Sequence, residues 1–287
     1  VDISNRWSSW NNSRSEKIEE WKELRNYIYA TDTRTTSNNK LPWSNSTTTP
    51  KLTQISDNLH ANYFAALFPQ KRWMKFEAND EEANTKSKRD VIQAYMETKL
   101  RQSDFINTTS KLINDYIQYG NCFATVDYTR KFTDFEDGDR ATNYIGPKLI
   151  RISPFDICFN PTASEFANTP KIVRSVLTLG EIQRKVEETI DNEYMSDIFS
   201  KMLGNRGSAK GNEVDVHKSE GFVADGFSSI TDYYESNYVE ILTFYGDIYD
   251  ASTGEFHNNR IITIVDRAYV LSNEENPSWL GRDPIFH

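Results

Sequence analysis

A chain of 287 residues with 37% apolar, 13% aromatic and 26% charged residues has the composition of a folded protein with a sizeable core, which excludes disorder over its whole length. Its 33 Lys and Arg against 42 Asp and Glu leave a formal net charge of -9, and the basic residues are scattered, so the basic stripe that tight DNA binding requires is missing. The strongest apolar run, Ile261-Ile262-Thr263-Ile264-Val265, stops at Asp266 and Arg267, far short of the roughly 18 apolar residues of a membrane helix, and speaks against a membrane-spanning protein.

In chain order, Ile18, Trp21, Leu24, Tyr27 and Ile28 recur at helical spacing and predict an amphipathic helix over Glu16 to Ala30, with Ser15 as its N-cap. The polar stretch Thr31 to Pro50 reads as a long loop or arm around Leu41, Pro42 and Trp43. Trp43 reads either as a local core contact or as an anchor into a neighbouring subunit. Leu52, Ile55, Leu59, Tyr63 and Leu67 predict a second helix, ended by Pro69, and Arg72 to Glu77 reads as a short strand. A charged segment from Asn79 then opens a long helix with Val91, Ile92, Tyr95, Met96 and Leu100 on one face; a further helix over Phe105 to Tyr119 ends at Gly120.

The pattern changes at Asn121. Cys122 to Tyr128 and Lys148 to Ile152 read as strands flanking an acidic hairpin tip, Thr133 to Asn143. Ser153-Pro154 is a turn, Ile172 to Leu177 a strand, and Thr178 the cap of a helix through Glu181, Ile182, Val186 and Ile190. Tyr194 to Leu203 continues helical, and Gly204 to Ser229 reads as a surface loop. Tyr238 to Tyr249 and Ile261 to Val265 form a hairpin, with a short strand at Ala268 to Leu271. The fold class is therefore α+β, with a mainly helical part over residues 1–120, its arm at 31–50, and an α+β part over 121–287.

Chemistry-bearing motifs are sparse. His60, His217, His257 and His287 are far apart on unlike elements, so no local metal set is expected, and His60 reads as a packed or capped histidine. Asp134, Glu136, Asp137 and Asp139 lack the alternation and closing Glu of a calcium loop. Gly204 to Gly211 lacks the spacing of a phosphate loop, and Glu81-Glu82 and Glu187-Glu188 read as solvated helix faces. Cys122 and Cys158 read as reduced thiols. No catalytic, cofactor or metal residue is assigned, no cofactor is expected, and an enzyme would be a surprise.

Three stretches carry a resemblance. They are the opening helix with Trp21 and Leu24 followed by Ile55 to Phe68-Pro69 and Trp73 to Glu77; Tyr119-Gly120-Asn121-Cys122-Phe123; and Ile152-Ser153-Pro154-Phe155-Asp156-Ile157-Cys158-Phe159-Asn160-Pro161-Thr162-Ala163, continuing through Arg174 to Ile182. In this order they resemble the front part of a tailed-bacteriophage portal protein, the head-tail connector of short-tailed or crAss-like phages. The resemblance implies an α+β wing of N-terminal helices, antiparallel hairpins and interspersed helices, with the stem, clip and crown expected beyond about Phe286 and so not in this chain.

It further implies a homo-oligomer, a dodecameric ring at one capsid vertex of the virion, assembled in the cytoplasm of the host bacterium. Its implied partners are the major capsid protein, the terminase motor during packaging, and tail or adaptor proteins. Double-stranded DNA would pass through the ring on packaging and ejection without sequence-specific binding, which suits an acidic subunit. Leu41, Pro42 and Trp43 are the candidate contact with a neighbouring subunit or the capsid, because a long polar arm is costly to order without a partner. A head-tail adaptor or minor capsid protein is the alternative, with a metal-dependent phage enzyme behind it.

Overall fold

The computed structural model describes residues 2–29, 51–70, 73–77, 83–134, 140–160, 162–163, 165–188, 193–208, 237–250, 254–278 and 281–287. Within these, the fold is α+β, as its alternation of helical and strand periodicities requires. Contacts divide the chain into two units, one of residues 1–15 and 155–283, the other of residues 16–154 and 284–287. The switch from helical to strand patterning near Gly120 falls inside the second unit.

The first unit is a five-stranded antiparallel sheet in the order β3 (Ile157–Phe159), β4 (Lys171–Thr178), β5 (Tyr238–Asp250), β6 (Glu255–Val265), β7 (Tyr269–Glu275). Because side chains alternate across a strand, each face of this sheet has its own core. Ile172, Leu242, Phe244, Ile262 and Ile264 point to one face and bury Ile3 and Trp7 of helix α1 (Asp2–Ser13). Val239, Ile241, Val265 and Leu271 point to the other and bury Ile182 of α6 (Leu179–Glu188) and Met202 of α7 (Glu193–Ser208). Helix α1 has no counterpart in the sequence expectation, although Ile3, Trp7 and Trp10 recur at the spacing of one helical face.

Two buried ion pairs hold this unit at its margins. The Lys171 ammonium is fully buried and donates to Asp283 Oδ2 at 2.6 Å and to the Thr169 carbonyl at 2.9 Å, over the Phe166 ring at 4.4 Å. Arg267, in the β6–β7 turn, is paired with Glu240 of β5. On the α1 side, Arg174 donates to Asp156 at 2.8 and 3.0 Å and lies over the Trp7 ring. Arg14 donates to the Phe155 carbonyl at 2.6 Å, tying the end of α1 to the chain ahead of β3.

The second unit is built around α5 (Phe105–Tyr119), on which α3 (Lys51–Leu67) and α4 (Ala83–Gln102) pack. Helix α2 (Ser15–Tyr29) adds Trp21, whose ring lies 5.7 Å from that of Tyr119 on α5. Gly120 ends α5 at φ 70°, in the left-handed region open to glycine, and its N–H closes the helix on the Tyr116 carbonyl at 2.9 Å. The chain then enters a long antiparallel hairpin, β1 (Phe123–Asp134) and β2 (Arg140–Ile152), and the short β8 (Ile285–Phe286) pairs with β1 at Ala124 and Thr125.

Several boundaries differ from the sequence expectation. Trp73–Glu77 is not a strand; it runs without regular structure, fixed by the Trp73 ring stacking on Phe105 at 5.6 Å, and no strand among the described residues pairs with it. Gly204–Ser208 is the end of α7 rather than loop, because the helix continues past Leu203; residues 209–236 lie outside the described residues. Ser15 is the first residue of α2 rather than its cap, and β7 runs to Glu275. Cys122 precedes β1 and Cys158 lies in β3, both as free thiols.

Candidate protein-protein interface

Helix α3 follows from its apolar spacing, yet it buries none of its 17 residues within the chain. It rests on α5 through one side only. His60 Nε2 lies 3.0 Å from Ser110 Oγ and 3.2 Å from its carbonyl, and the Tyr63 and Tyr116 rings meet edge to face at 6.1 Å. The Thr53 hydroxyl donates to the Ile28 carbonyl at the end of α2. An aromatic series from His60 through Phe64, Phe68 and Trp73 to Phe105 then connects the far end of α3 to the start of α5.

Apart from Tyr63, which meets Tyr116, the stripe that predicted this helix points elsewhere. Leu52, Ile55, Leu59, Tyr63 and Leu67 are each between 41% and 54% exposed. Fully burying such a side chain contributes about 1.5–3 kcal/mol, so five of them half exposed along one helix represent a large unused driving force. Scattered exposed leucines are ordinary; a stripe this long is the mark of a contact surface.

Helix α4 repeats the pattern with charge added. Met96 and Leu100 turn inward, whereas Val91, Ile92 and Tyr95 are 67%, 51% and 60% exposed. The face expected from sequence as one continuous stripe is thus divided between the core and the outside. Lys99 is used internally, donating to the Ile145 carbonyl at 2.8 Å and lying over the Tyr144 ring. Helix α2 turns Trp21 and Ile28 inward and leaves Leu24, Tyr27 and Tyr29 exposed.

Behind these helices the second unit is firmly fastened. Buried Asp115 of α5 accepts both arms of the Arg151 guanidinium from β2, the second at 2.6 Å. Burial raises the Tyr119 hydroxyl and the Cys122 thiol above their ordinary pKa values, and the Asp115 carboxylate adds to both shifts. Cys122 is accordingly a poor nucleophile at neutral pH.

The residues singled out from sequence do not converge on a chemical site. Leu41, Pro42 and Trp43 lie outside the described residues, as do His217, Glu81, Glu82 and the 135–139 part of the acidic tip. His60 is hydrogen-bonded as expected of a packed histidine, His257 lies 4.0 Å from Glu255, and His287 lies 3.0 Å from Asn121 Oδ1, stacked on Phe123. Among the described residues no three His, Cys, Asp or Glu side chains are grouped to hold a metal ion. A cleft of about 480 Å³ lies beside α6 and α7 on the sheet face, lined by Ser175, Thr243, Thr263 and Ser272 among apolar side chains; among the described residues lining it, Lys185 is the one ionisable group. A single exposed amine offers no acid-base pair.

Among the described residues the arrangement presents exposed apolar helix faces suited to docking. Residues 2–144 match the family model described as bacteriophage head to tail connecting protein. The match covers just under half of the chain, from α1 to the first residues of β2, and takes in all of α2, α3 and α4. It supports a phage connector-type protein, one that acts by contact with other head and tail components. No curated protein matches the chain significantly. Among the described residues no helix is long and apolar enough to cross a membrane.

Proposed function

We propose that this connector-type chain is a portal subunit, one of about twelve copies closing a ring at a single capsid vertex. The observation that carries the reading is the coincidence of the connector match with the helices whose apolar stripes are left open: α3 and α4 both lie inside residues 2–144. A ring subunit must cover such faces with its neighbours. The chain's net charge of -9 makes the assembled ring strongly negative, so double-stranded DNA slides through it during packaging by the terminase and during ejection. The capsid protein and a tail or adaptor protein bind its outer surfaces. The segment with Leu41, Pro42 and Trp43 contacts a neighbouring subunit or the capsid. The subunit acts in the virion, after assembly in the bacterial cytoplasm, and performs no catalysis.

Native mass spectrometry and particle imaging of the full-length protein test this. A closed ring of about twelve subunits is the expected result. A stable monomer or small dimer overturns it, and a ring found between the vertex and the tail rather than in the vertex assigns the chain to the head-tail adaptors instead.

A further inference from the structure

A ring held by head-to-tail contacts needs two unlike and complementary faces on one chain. Resting on the ring reading above, we propose that the outer face of α2 in one copy docks on the outer face of α4 in the next, an acidic surface against a basic-rimmed apolar one.

The two faces follow from helical geometry. On α2, Trp21 and Ile28 mark the inward side, and at 3.6 residues per turn Glu16, Glu19 and Glu23 fall on the opposite side, with Glu20 and Tyr27 on its flank. Lys17 and Lys22 are taken up by Glu20 and Glu19 at 2.5 and 2.8 Å. Arg25 lies on the inner flank, where its charge acts on Tyr119. Glu16 and Glu23 have no cationic partner among the described residues; Glu23 accepts only the Tyr27 hydroxyl at 3.3 Å. On α4, Met96 and Leu100 mark the inward side, Val91 falls opposite with Tyr95 beside it, and Lys88 and exposed Arg101 lie on the two flanks of that outer face. Arg89 is paired with Asp90 and Lys99 with the Ile145 carbonyl, but Lys88 and Arg101 have no carboxylate partner among the described residues.

Among the described residues each face thus carries two unspent charges of one sign near exposed side chains: Tyr27 on α2, Val91 and Tyr95 on α4. An apolar centre within a charged rim is the anatomy of a specific interface. The pairing also answers an electrostatic difficulty, since copies of a chain with net charge -9 repel one another unless a basic face meets an acidic one.

A charge exchange in the full-length protein tests the pairing, with far-UV circular dichroism confirming that each variant is folded. The double variants Lys88→Glu with Arg101→Glu, and Glu16→Lys with Glu23→Lys, each lower the ring fraction at fixed protein concentration by about tenfold or more. Combining all four restores the rings, because the signs are opposed again. Rings that form undiminished in both double variants overturn this pairing while leaving the ring reading intact, and so does a combined variant that fails to recover. Wild-type protein that forms no ring overturns both.

Discussion

Arg267 and Glu240 face each other with both side chains withdrawn from solvent, 3% and 0% exposed, in a two-point contact of Nε to Oε2 at 2.7 Å and the second nitrogen to Oε1 at 2.9 Å. The pair holds a turn that is otherwise unfavourable. Asp266 and Arg267 lie at φ 52° and 55°, left-handed values uncommon for residues with a side chain, and the Asp266 N–H donates to the Glu240 carbonyl at 3.0 Å. Arg267→Met leaves the Glu240 carboxylate buried without its partner and is expected to cost about 3–5 kcal/mol. Glu240→Leu combined with Arg267→Met removes both charges and costs less than the single change. Denaturant unfolding of the three proteins measures this, and equal losses in single and double variants contradict it.

Gly246 of β5 is fixed by space as well as by backbone. It sits at φ 134°, and a Cβ there would come within 2.9 Å of Pro170 Cα, a backbone atom that cannot step aside. The strand is bulged at the same point, where Asp247 accepts the Asn259 N–H at 2.7 Å. Gly246→Ala is expected to cost upwards of about 1–3 kcal/mol from the backbone alone. Gly254, at φ 75° with nothing near its absent Cβ, is the internal control, and Gly254→Asn is tolerated because Asn enters the left-handed region readily. Thermal unfolding of both variants separates the two positions.

The cap of α6 makes part of the fold sensitive to acid. Thr178 and Glu181 exchange hydrogen bonds: Glu181 Oε2 accepts the Thr178 N–H at 2.8 Å and its hydroxyl at 2.9 Å, and Thr178 Oγ1 accepts the Glu181 N–H at 3.3 Å. The bonds from the Thr178 backbone and side chain favour the carboxylate and hold its pKa below the ordinary value. A lowered folded-state pKa means that the cap contributes fully above the unfolded-state value and is lost as pH falls through the lower folded one. Amide exchange in the first turn of α6, read relative to its intrinsic rate at each pH, is therefore expected to accelerate in the wild type once the pH falls below the ordinary carboxylate range. In Glu181→Gln, which keeps an acceptor but cannot titrate, that acceleration disappears; its persistence would assign the effect to another group.

What was legible in the sequence follows how local the deciding physics is. Thr178 with Glu181 three residues on, Gly120 after Tyr119, and Pro69 after α3 are punctuation marks whose energetics lie within a turn or two, and the structure places a helix end at each. The partners of strands are not local. Thr178 lies opposite Tyr238 across 60 positions, and nothing in either strand names the other, so the order β3-β4-β5-β6-β7 had to come from packing. Helix α1 was legible in the spacing of Ile3, Trp7 and Trp10 and was hidden by the Ser and Asn residues between them. The candidate interface was half visible: periodicity shows which side chains share a face of α3 or α4 but is silent on whether that face is covered. Only the structure shows Val91 and Tyr95 turned out while Met96 and Leu100 turn in.

The open stripe of α3 can be separated experimentally from the packing that holds the subunit together. Ile55→Gln and Leu59→Gln replace side chains already half exposed, on a helix whose propensity Gln preserves, so each is expected to change subunit stability by no more than about 0.5 kcal/mol. Ile113→Ala, on the buried face of α5, removes packed methyl groups and should cost about 2–5 kcal/mol. If the stripe is a contact surface, the order reverses when assembly rather than unfolding is measured. The Gln variants then stay monomeric, or fail to join heads to tails, at concentrations where wild-type protein assembles, while Ile113→Ala still assembles at temperatures below its own melting. Gln variants that assemble as the wild type does would mean that these side chains meet only water in the particle, leaving Leu52, Ile55, Leu59 and Leu67 of α3 without the partner that their spacing and exposure require.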